Sequence, residues 1–379
     1  MHFAFTDEQE ALRAAARGFL ADHSSSEQVR RAMASELGYD PEVWKRIASE
    51  LGWTAVAIPE AYGGLGLGAV EVAALMEEMG RVLLCAPFFS SVCLAGNALL
   101  AGGSEEQRRE HLPAIAEGHT LATVAWTEPG GDWGASGIAA TARRQGGEFV
   151  IDASKRFVLD GLAADLLIVA VRREGSVGEE GVSLFAVPSG TAGVERRALP
   201  TMDPTRRLAE VRLRDLRVPA SALMGEEGEG WGALRKTLDL AAVALSAEQV
   251  GGAQTCLDHS VAYAKERVQF GRPIGSFQAI KHKCADMMVA VESARSASYY
   301  AACVAAEDGA ELPVAASLAK AFCSDAYFRC AAESIQIHGG VGFTWEYDVH
   351  LYFKRARATE VFLGDPAYHR ERVARNLGL

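Results

Sequence analysis

Two stretches of this chain combine residue types and spacing that could hold an anionic ligand. The first runs Glu266-Arg267-Val268-Gln269-Phe270-Gly271-Arg272-Pro273-Ile274-Gly275-Ser276-Phe277-Gln278, and the second Gln336-Ile337-His338-Gly339-Gly340-Val341-Gly342-Phe343. An arginine beside a glycine turn supplies a fixed cation and lets the backbone come close, which is chemistry suited to a phosphate. Taken singly, these residues also read as a turn arginine, a core phenylalanine or a packing glycine pair; their joint spacing argues against that. His338, between Ile337 and Gly339, suits a hydrogen-bonded structural role equally well. Seven cysteines, at 85, 93, 256, 284, 303, 323 and 330, form no CxxC pair and have no histidine at ligand spacing. They read as buried free thiols, and no metal site is expected.

The elements that position these residues follow from periodicity and caps. Thr6 and Gln9 form a capping box before a face of Leu12, Ala15, Ala16, Phe19 and Leu20, and Asp40-Pro41 opens a helix with the stripe Trp44, Ile47 and Leu51, stopped at Gly52. Further helices are expected from about Ala69 to Val82 and from the Ser104–Gln107 capping box to near Gly118, with a tight loop at Pro59–Gly66. From about Leu121 the period becomes strand-like in LATVAW, EFVIDASKRFVL, LLIVAV, VSLFAV and LAEVRLRDLRV. Helical patterning returns near 232–268, 277–307, 312–337 and 361–375, long enough to pack as a bundle. The order predicts an α+β, mostly α chain with an N-terminal helical domain at 1–120, a middle β domain at 121–226 and a C-terminal helical bundle at 227–379.

Composition narrows the classes of partner. The chain has 379 residues, 49% apolar and 23% charged, close to the globular average, so disorder and coiled coils are not expected. A net charge of −11 repels nucleic acid and anionic lipid. With no leader-like pattern in MHFAFTDEQE and no apolar run of about 18 residues, a cytoplasmic protein is expected. Only eight of the 38 basic residues are lysines, so a local arginine-based phosphate site is compatible with the acidic total.

The Glu266–Gln278 and Gln336–Phe343 stretches resemble those of the acyl-CoA dehydrogenase family, flavoproteins that make a trans-2-enoyl thioester from an acyl-CoA. Pro59–Gly66, Thr127-Glu128-Pro129 and the order of elements are similar too, so the resemblance covers nearly the whole chain. It implies a central β-barrel-like or sandwich domain between the helical domains, a C-terminal four-helix bundle, FAD as cofactor, an acyl-CoA substrate from fatty acid or steroid side-chain β-oxidation, and electron-transfer flavoprotein as acceptor. It further implies that Arg267, Phe270, Phe277, Gln278, Gln336, Gly339 and Gly340 hold the pyrophosphate and adenosine half of an FAD seated mainly in a neighbouring subunit of a dimer or tetramer. Thr127 and Phe157 would face the flavin ring.

The ring side departs from the family pattern. Asp132-Trp133-Gly134 stands where Gly-Ser-Asp is usual, and Phe157-Val158-Leu159-Asp160-Gly161 replaces Trp-Ile-Thr-Asn-Gly, so Leu159 has no hydrogen bond to give. The glutamate that removes the α-proton is replaced by Leu363, and the alternative base position on the first bundle helix is Ala241, followed by Ala242. Asp365 lies two residues past the expected base and reads better as a helix N-cap before Pro366. Glu248, two turns from Ala241, is about 10.5 Å along the helix and too far to replace it. Three arrangements follow: a subunit whose homologous partner supplies the base, a homo-oligomer with Asp365 as a relocated base, or a flavin-free acyl-CoA-binding scaffold.

Overall fold

The structure, a computed structural model, describes residues 5–379; residues 1–4, on which part of the leader reading rests, lie outside the described residues. The chain forms two compact units, one from the described part of Met1–Arg31 with Gly68–Leu84 and Ala242–Leu379, the other from Ala32–Leu67 and Cys85–Ala241. N-terminal helices, a middle mixed sheet and a C-terminal helical bundle follow one another along the sequence, as the patterning predicts.

In the first unit, α1 (Asp7–His23) opens on the capping box of Thr6 and Gln9. Its buried face is narrower than expected: Ala16 and Leu20 are buried, Leu12 and Phe19 half-buried, and Ala15 is exposed, because it rotates off the i, i+4, i+8 stripe. The short polar helix α2 (Ser26–Ala34) follows, unpredicted because its apolar content is too low for a clear period. Helix α4 (Ala69–Arg81) buries two adjacent carboxylates, Glu77 and Glu78. Arg13 and Arg17 of α1 pair with them, at 3.2 Å to Glu77 and 2.7 Å to Glu78, and Arg295 closes on Glu77. The pairing permits their burial, since an unpaired buried carboxylate would be costly. Arg295 belongs to α8 (Gln278–Ala306), which packs on α9 (Leu312–His338), the centre of the bundle. Helix α7 (Trp231–Glu266) crosses α4 where Gly251 meets the Glu77 carbonyl.

The last helix, expected at 361–375, starts later, as α11 (Pro366–Asn376), and an unexpected helix, α10 (Val349–Val361), precedes it; both pack on α9. Leu363 and Gly364 reverse the chain with φ of +64° and +104°, and Asp365 then caps α11 by accepting from the Tyr368 N–H at 2.8 Å. Pro366 at the first helical position has no N–H to lose, so the sequence permits a start there and not earlier.

In the second unit, Asp40 caps α3 (Pro41–Lys45), which widens into a π turn at Arg46–Glu50. The extra residue in that turn shifts the helical phase, and Leu51 stands exposed instead of joining Trp44 and Ile47. The Pro59–Gly66 loop is tight as expected: a Cβ on Gly64 would lie 1.8 Å from the Ile58 carbonyl oxygen. A buried π-helical segment, Phe89–Gly96, leads into α5 (Asn97–Gly102), and the Ser104–Gln107 capping box opens α6 (Glu105–Ala116).

The strands are β1 (Ala122–Ala125), β2 (Thr141–Gln145), β3 (Glu148–Leu159), β4 (Leu166–Arg173), β5 (Val182–Pro188), β6 (Val194–Leu199), β7 (Leu208–Pro219) and β8 (Leu223–Met224). They run in the order β6-β7-β3-β2-β4-β5-β8, with β1 parallel to β4. The core holds Phe149, Ile151, Leu167, Val169, Phe185 and Val211, contributed from β3, β4, β5 and β7. The patterning missed β2 and β6 because TARRQ and VERRAL are polar and exposed; their neighbours in the sheet recruit them by backbone pairing.

Candidate functional site

The helical unit presents the first set of residues at one edge. After α7 the chain makes a two-residue antiparallel ladder, β9 (Val268–Gln269) with β10 (Arg272–Pro273). Phe270 and Gly271 form its tip with φ of +52° and +76°, two left-handed residues that fit the twist of a tight hairpin. Phe270 is 90% exposed and meets Phe277 edge-on at 6.0 Å, while the Arg272 guanidinium lies 4.2 Å over the Phe277 ring. Arg267 and Gln278 are also exposed. No side-chain cap closes the N-terminus of α8 at Phe277, so its first N–H groups point outward at the positive end of a 29-residue helix.

The second stretch ends α9 beside this hairpin. Gln336, Gly339 and Gly340 are exposed, Gly339 has φ of +64°, and a Cβ on either glycine would meet no atom within 4 Å. His338 is structural: it is 6% exposed, its Nδ1 bonds the Ser334 carbonyl at 2.7 Å, and its ring stacks on Tyr263 at 4.3 Å. Burial holds its pKa below the ordinary value. The Tyr263 carbonyl in turn accepts from the Arg267 N–H at 2.8 Å, so the stack ties the two stretches together. Sequence reasoning did not identify Tyr263, which carries no motif of its own.

The residues expected beside a flavin ring lie in the sheet unit. Thr127, two residues past the end of β1, is buried; its hydroxyl donates to the Arg156 carbonyl and its own carbonyl accepts from the Arg156 N–H at 2.9 Å. Phe157 follows in a register shift of β3, with φ of +59° and 37% exposure. Leu159 is buried, and its carbonyl accepts from the Thr123 hydroxyl at 2.7 Å. Trp133 packs on the buried Trp126 at 5.9 Å, and Asp132 anchors the loop by accepting from the Gly134 N–H and the Ser136 hydroxyl.

A buried ion pair that sequence reasoning missed holds this segment. Lys155 donates to Glu128 at 2.6 Å, and the same carboxylate oxygen accepts from the Ala139 and Ala140 N–H groups. Burial lowers the Lys155 pKa, and Glu128 opposes that shift. A lone lysine inside the apolar strand EFVIDASKRFVL was the available signal.

Both positions where a base was sought are apolar and closed: Leu363 is 5% exposed and Ala241 fully buried. Glu248 forms a buried ion pair with Arg355 of α10 at 2.7 Å, and Asp365 is committed to its cap. No group of three or more metal-ligating side chains occurs among the described residues, and the seven cysteines are thiols, five buried and Cys284 and Cys303 half-buried. Among the described residues no helix is long and apolar enough to cross a membrane.

Comparison with known proteins gives this geometry a family. Profiles of the acyl-CoA dehydrogenase N-terminal, middle and C-terminal domains match residues 6–119, 123–216 and 228–378 in turn. Acyl-CoA dehydrogenase IpdE2 of Mycolicibacterium smegmatis is 37% identical over 363 residues, 95% of this chain and 96% of that protein. Among solved structures, butyryl-CoA dehydrogenase from Megasphaera elsdenii matches with a TM-score of 0.93 at 30% identity, covering all of both chains. A chain of the ChsE4-ChsE5 complex from Mycobacterium tuberculosis matches with a TM-score of 0.90 at 28% identity, covering 100% of this chain and 99% of that one. Helical, sheet and bundle segments in this order, with an exposed arginine–glycine edge on the bundle, therefore belong to an oxidoreductase of the acyl-CoA dehydrogenase family.

Proposed function

We propose that this chain is one subunit of a hetero-oligomeric, cytoplasmic acyl-CoA dehydrogenase acting on fatty acyl or steroid side-chain thioesters, whose homologous partner subunit supplies the catalytic glutamate. The three segments 1–120, 121–226 and 227–379 are its proposed functional domains. The observation that carries the proposal is that both base positions are filled by apolar side chains while Glu248 is neutralised by Arg355 and Asp365 serves as a cap. Likeness to the acyl-CoA dehydrogenase IpdE2 supports the activity, and likeness to a chain of the ChsE4-ChsE5 complex supports the hetero-oligomer.

The nucleotide half of FAD fits the bundle edge. Arg267 offers a cation there, the start of α8 offers unspent N–H groups, and Gly339 and Gly340 leave space for close approach. The ring half does not find the usual side-chain donors, since Leu159 is apolar and the Thr127 hydroxyl is engaged by Arg156. When bound, FAD accepts the hydride from the substrate β-carbon, and electron-transfer flavoprotein is the proposed acceptor of the electrons. This chain's part is to bind and orient: Arg267 and Gln278 would hold the pyrophosphate, Phe270 and Phe277 the adenosine side, and Gln336, Gly339 and Gly340 the backbone approach. Thr127 and Phe157 would flank the ring. Exposed Met288, Val289, Leu318 and Phe322 on α8 and α9 offer apolar surface for the partner.

The test is to purify the chain alone and together with a homologous dehydrogenase chain that carries the glutamate, then to measure flavin content and acyl-CoA-dependent acceptor reduction. Turnover is expected from the pair and not from the lone chain; full flavin occupancy with turnover by the lone chain overturns the proposal. In the pair, Arg267→Ala is expected to weaken FAD retention roughly 10- to 100-fold, because a hydrogen bond to a charged group contributes about 1.5–3 kcal/mol. Its side chain is exposed, so the melting temperature of the apoprotein should stay unchanged while flavin is lost on dialysis.

A further inference from the structure

One buried cation lies directly under the turn at the family's base position and has no part in the reading above. Lys320, on α9, is wholly buried. Its Nζ donates to three oxygens: the Glu360 carbonyl at the end of α10 (3.0 Å), the Gly364 carbonyl in the turn (3.0 Å) and the Ser324 hydroxyl (2.9 Å). An ammonium has three protons, so every one is used, and one of them holds a carbonyl at the negative end of α10. Ser324 continues the chain to Gln249 of α7, whose side-chain N–H donates to it at 3.0 Å. From the other side, His369 of α11 bonds the Leu363 carbonyl at 3.1 Å.

The turn so held contains two successive left-handed residues, and Leu363, as a non-glycine residue at φ of +64°, is conformationally costly there. A leucine that merely filled a core would need no such geometry. We propose that Lys320 is a positioning residue: it fixes the Phe362–Gly364 turn from inside the bundle, and with it the direction in which residue 363 is presented, and it passes the same constraint through Ser324 to α7. The identification of position 363 as the base position rests on the reading under Proposed function; the clamp itself does not.

The clamp is titratable. Burial lowers the Lys320 pKa to about 7, with Cys323 and Asp325 of α9, Glu360 of α10 and Asp365 before α11 acting in the opposite direction. His369, whose ring feels the Lys320 charge, is held down to about 3, and the Cys323 thiol is pushed up to about 12, so both lie outside the window around neutrality. A neutral amine has two protons for three acceptors, so one of the carbonyls or Ser324 must lose its donor as the pH rises.

Amide hydrogen exchange of the whole chain, corrected for intrinsic rate and followed by peptide between pH 6 and 8.5, tests this without flavin or substrate. At pH 6 the peptide over 358–370 is expected to exchange at least tenfold faster in Lys320→Met than in the wild type, while peptides of α1 and α8 stay within twofold. In the wild type its protection should fall toward the variant's value by pH 8.5. Equal protection in both proteins at pH 6, a loss spread evenly over every helix, or a wild-type pH profile parallel to that of α8 overturns the proposal. Ser324→Ala gives a second reading should Lys320→Met not fold: removing one acceptor of the ammonium is expected to move the transition of the 358–370 peptide to lower pH, and an unmoved transition overturns the proposal. Because neither arm uses turnover, a chain that proves inactive beside every partner leaves the clamp standing, and a failed clamp leaves the subunit reading standing.

Discussion

Acidification from pH 6.5 to 3 is expected to remove about 5 kcal/mol of stability through one histidine, His369. It is 1% exposed, and burial holds its pKa down to about 3, assisted by the positive charges of Lys320 and Arg372 and opposed by its bond to the Leu363 carbonyl. In the unfolded chain the imidazole takes up a proton near pH 6.5, whereas in the folded chain it stays neutral until about pH 3. The unfolded state thus binds more protons throughout that window, so stability rises with pH across it and is lost as pH falls. A displacement of about 3.5 units at roughly 1.36 kcal/mol each gives the figure, and since domains hold only about 5–15 kcal/mol the chain should unfold before pH 3.

His338 and His350, also lowered by burial, act in the same direction. Lys320, lowered from 10.5 to about 7, adds a rise of the same sign to the free energy of global unfolding between those two values, even though within the folded chain its neutral form holds the turn with one donor fewer. Urea midpoints at pH 7, 5.5 and 4.5 check the expectation. His369→Gln, which keeps a donor for the Leu363 carbonyl and cannot titrate, should flatten the fall, and an equally steep fall in that variant would refute the assignment to His369.

Gly251→Ala is expected to cost about 4 kcal/mol or more, enough to prevent folding in a marginally stable chain. A Cβ there would lie 1.9 Å from the Glu77 carbonyl and 2.9 Å from the Arg81 nitrogen of α4, and on the facing side a Cβ on Gly80 would lie 2.1 Å from the Glu248 carbonyl. These are backbone atoms of two long helices, so relief requires separating α4 from α7 and not turning a side chain. Separation would strain the contacts gathered at the crossing: the Thr255 and Tyr352 hydroxyls both donate to the Arg81 carbonyl, at 2.8 and 2.7 Å, and Glu248 holds Arg355 in the buried ion pair. Breaking a buried pair leaves an uncompensated charge, which is why the cost exceeds ordinary overpacking. Gly18→Ala in α1, where a Cβ meets nothing within 4 Å, should instead gain up to about 1 kcal/mol from helix propensity. Thermal denaturation of both variants separates a steric origin from a general intolerance of alanine.

The same contrast between local and long-range causes explains what could be read in advance. Capping boxes at Thr6 and Ser104, the Asp40-Pro41 start and the strands EFVIDASKRFVL and LLIVAV are written in neighbouring residues, and they appear where patterning put them. The start of α11 was equally local, in Asp365-Pro366, whereas α10 before it has no side-chain cap and was not expected. The exposed β2 and β6 had no such record, because their pairing is decided by the strands beside them.

For the site the division is sharper. The amino-acid sequence alone determined the family, the absence of a carboxylate at Leu363 and Ala241, and the retained Arg267–Gln278 and Gln336–Gly340 stretches, since these are statements about residue identity at fixed spacing. Only the tertiary structure decided which charged groups are spoken for. That Glu248 is neutralised by Arg355, that Glu128 is held by Lys155, that Tyr263 stacks on His338 and so joins the Arg267–Gln278 and Gln336–Gly340 stretches, and that Lys320 grips the turn under residue 363 are pairings between positions 27 to 107 residues apart. Burial makes such pairings obligatory, but which partner a buried charge finds depends on how helices and strands pack, and nothing local in the chain encodes that choice.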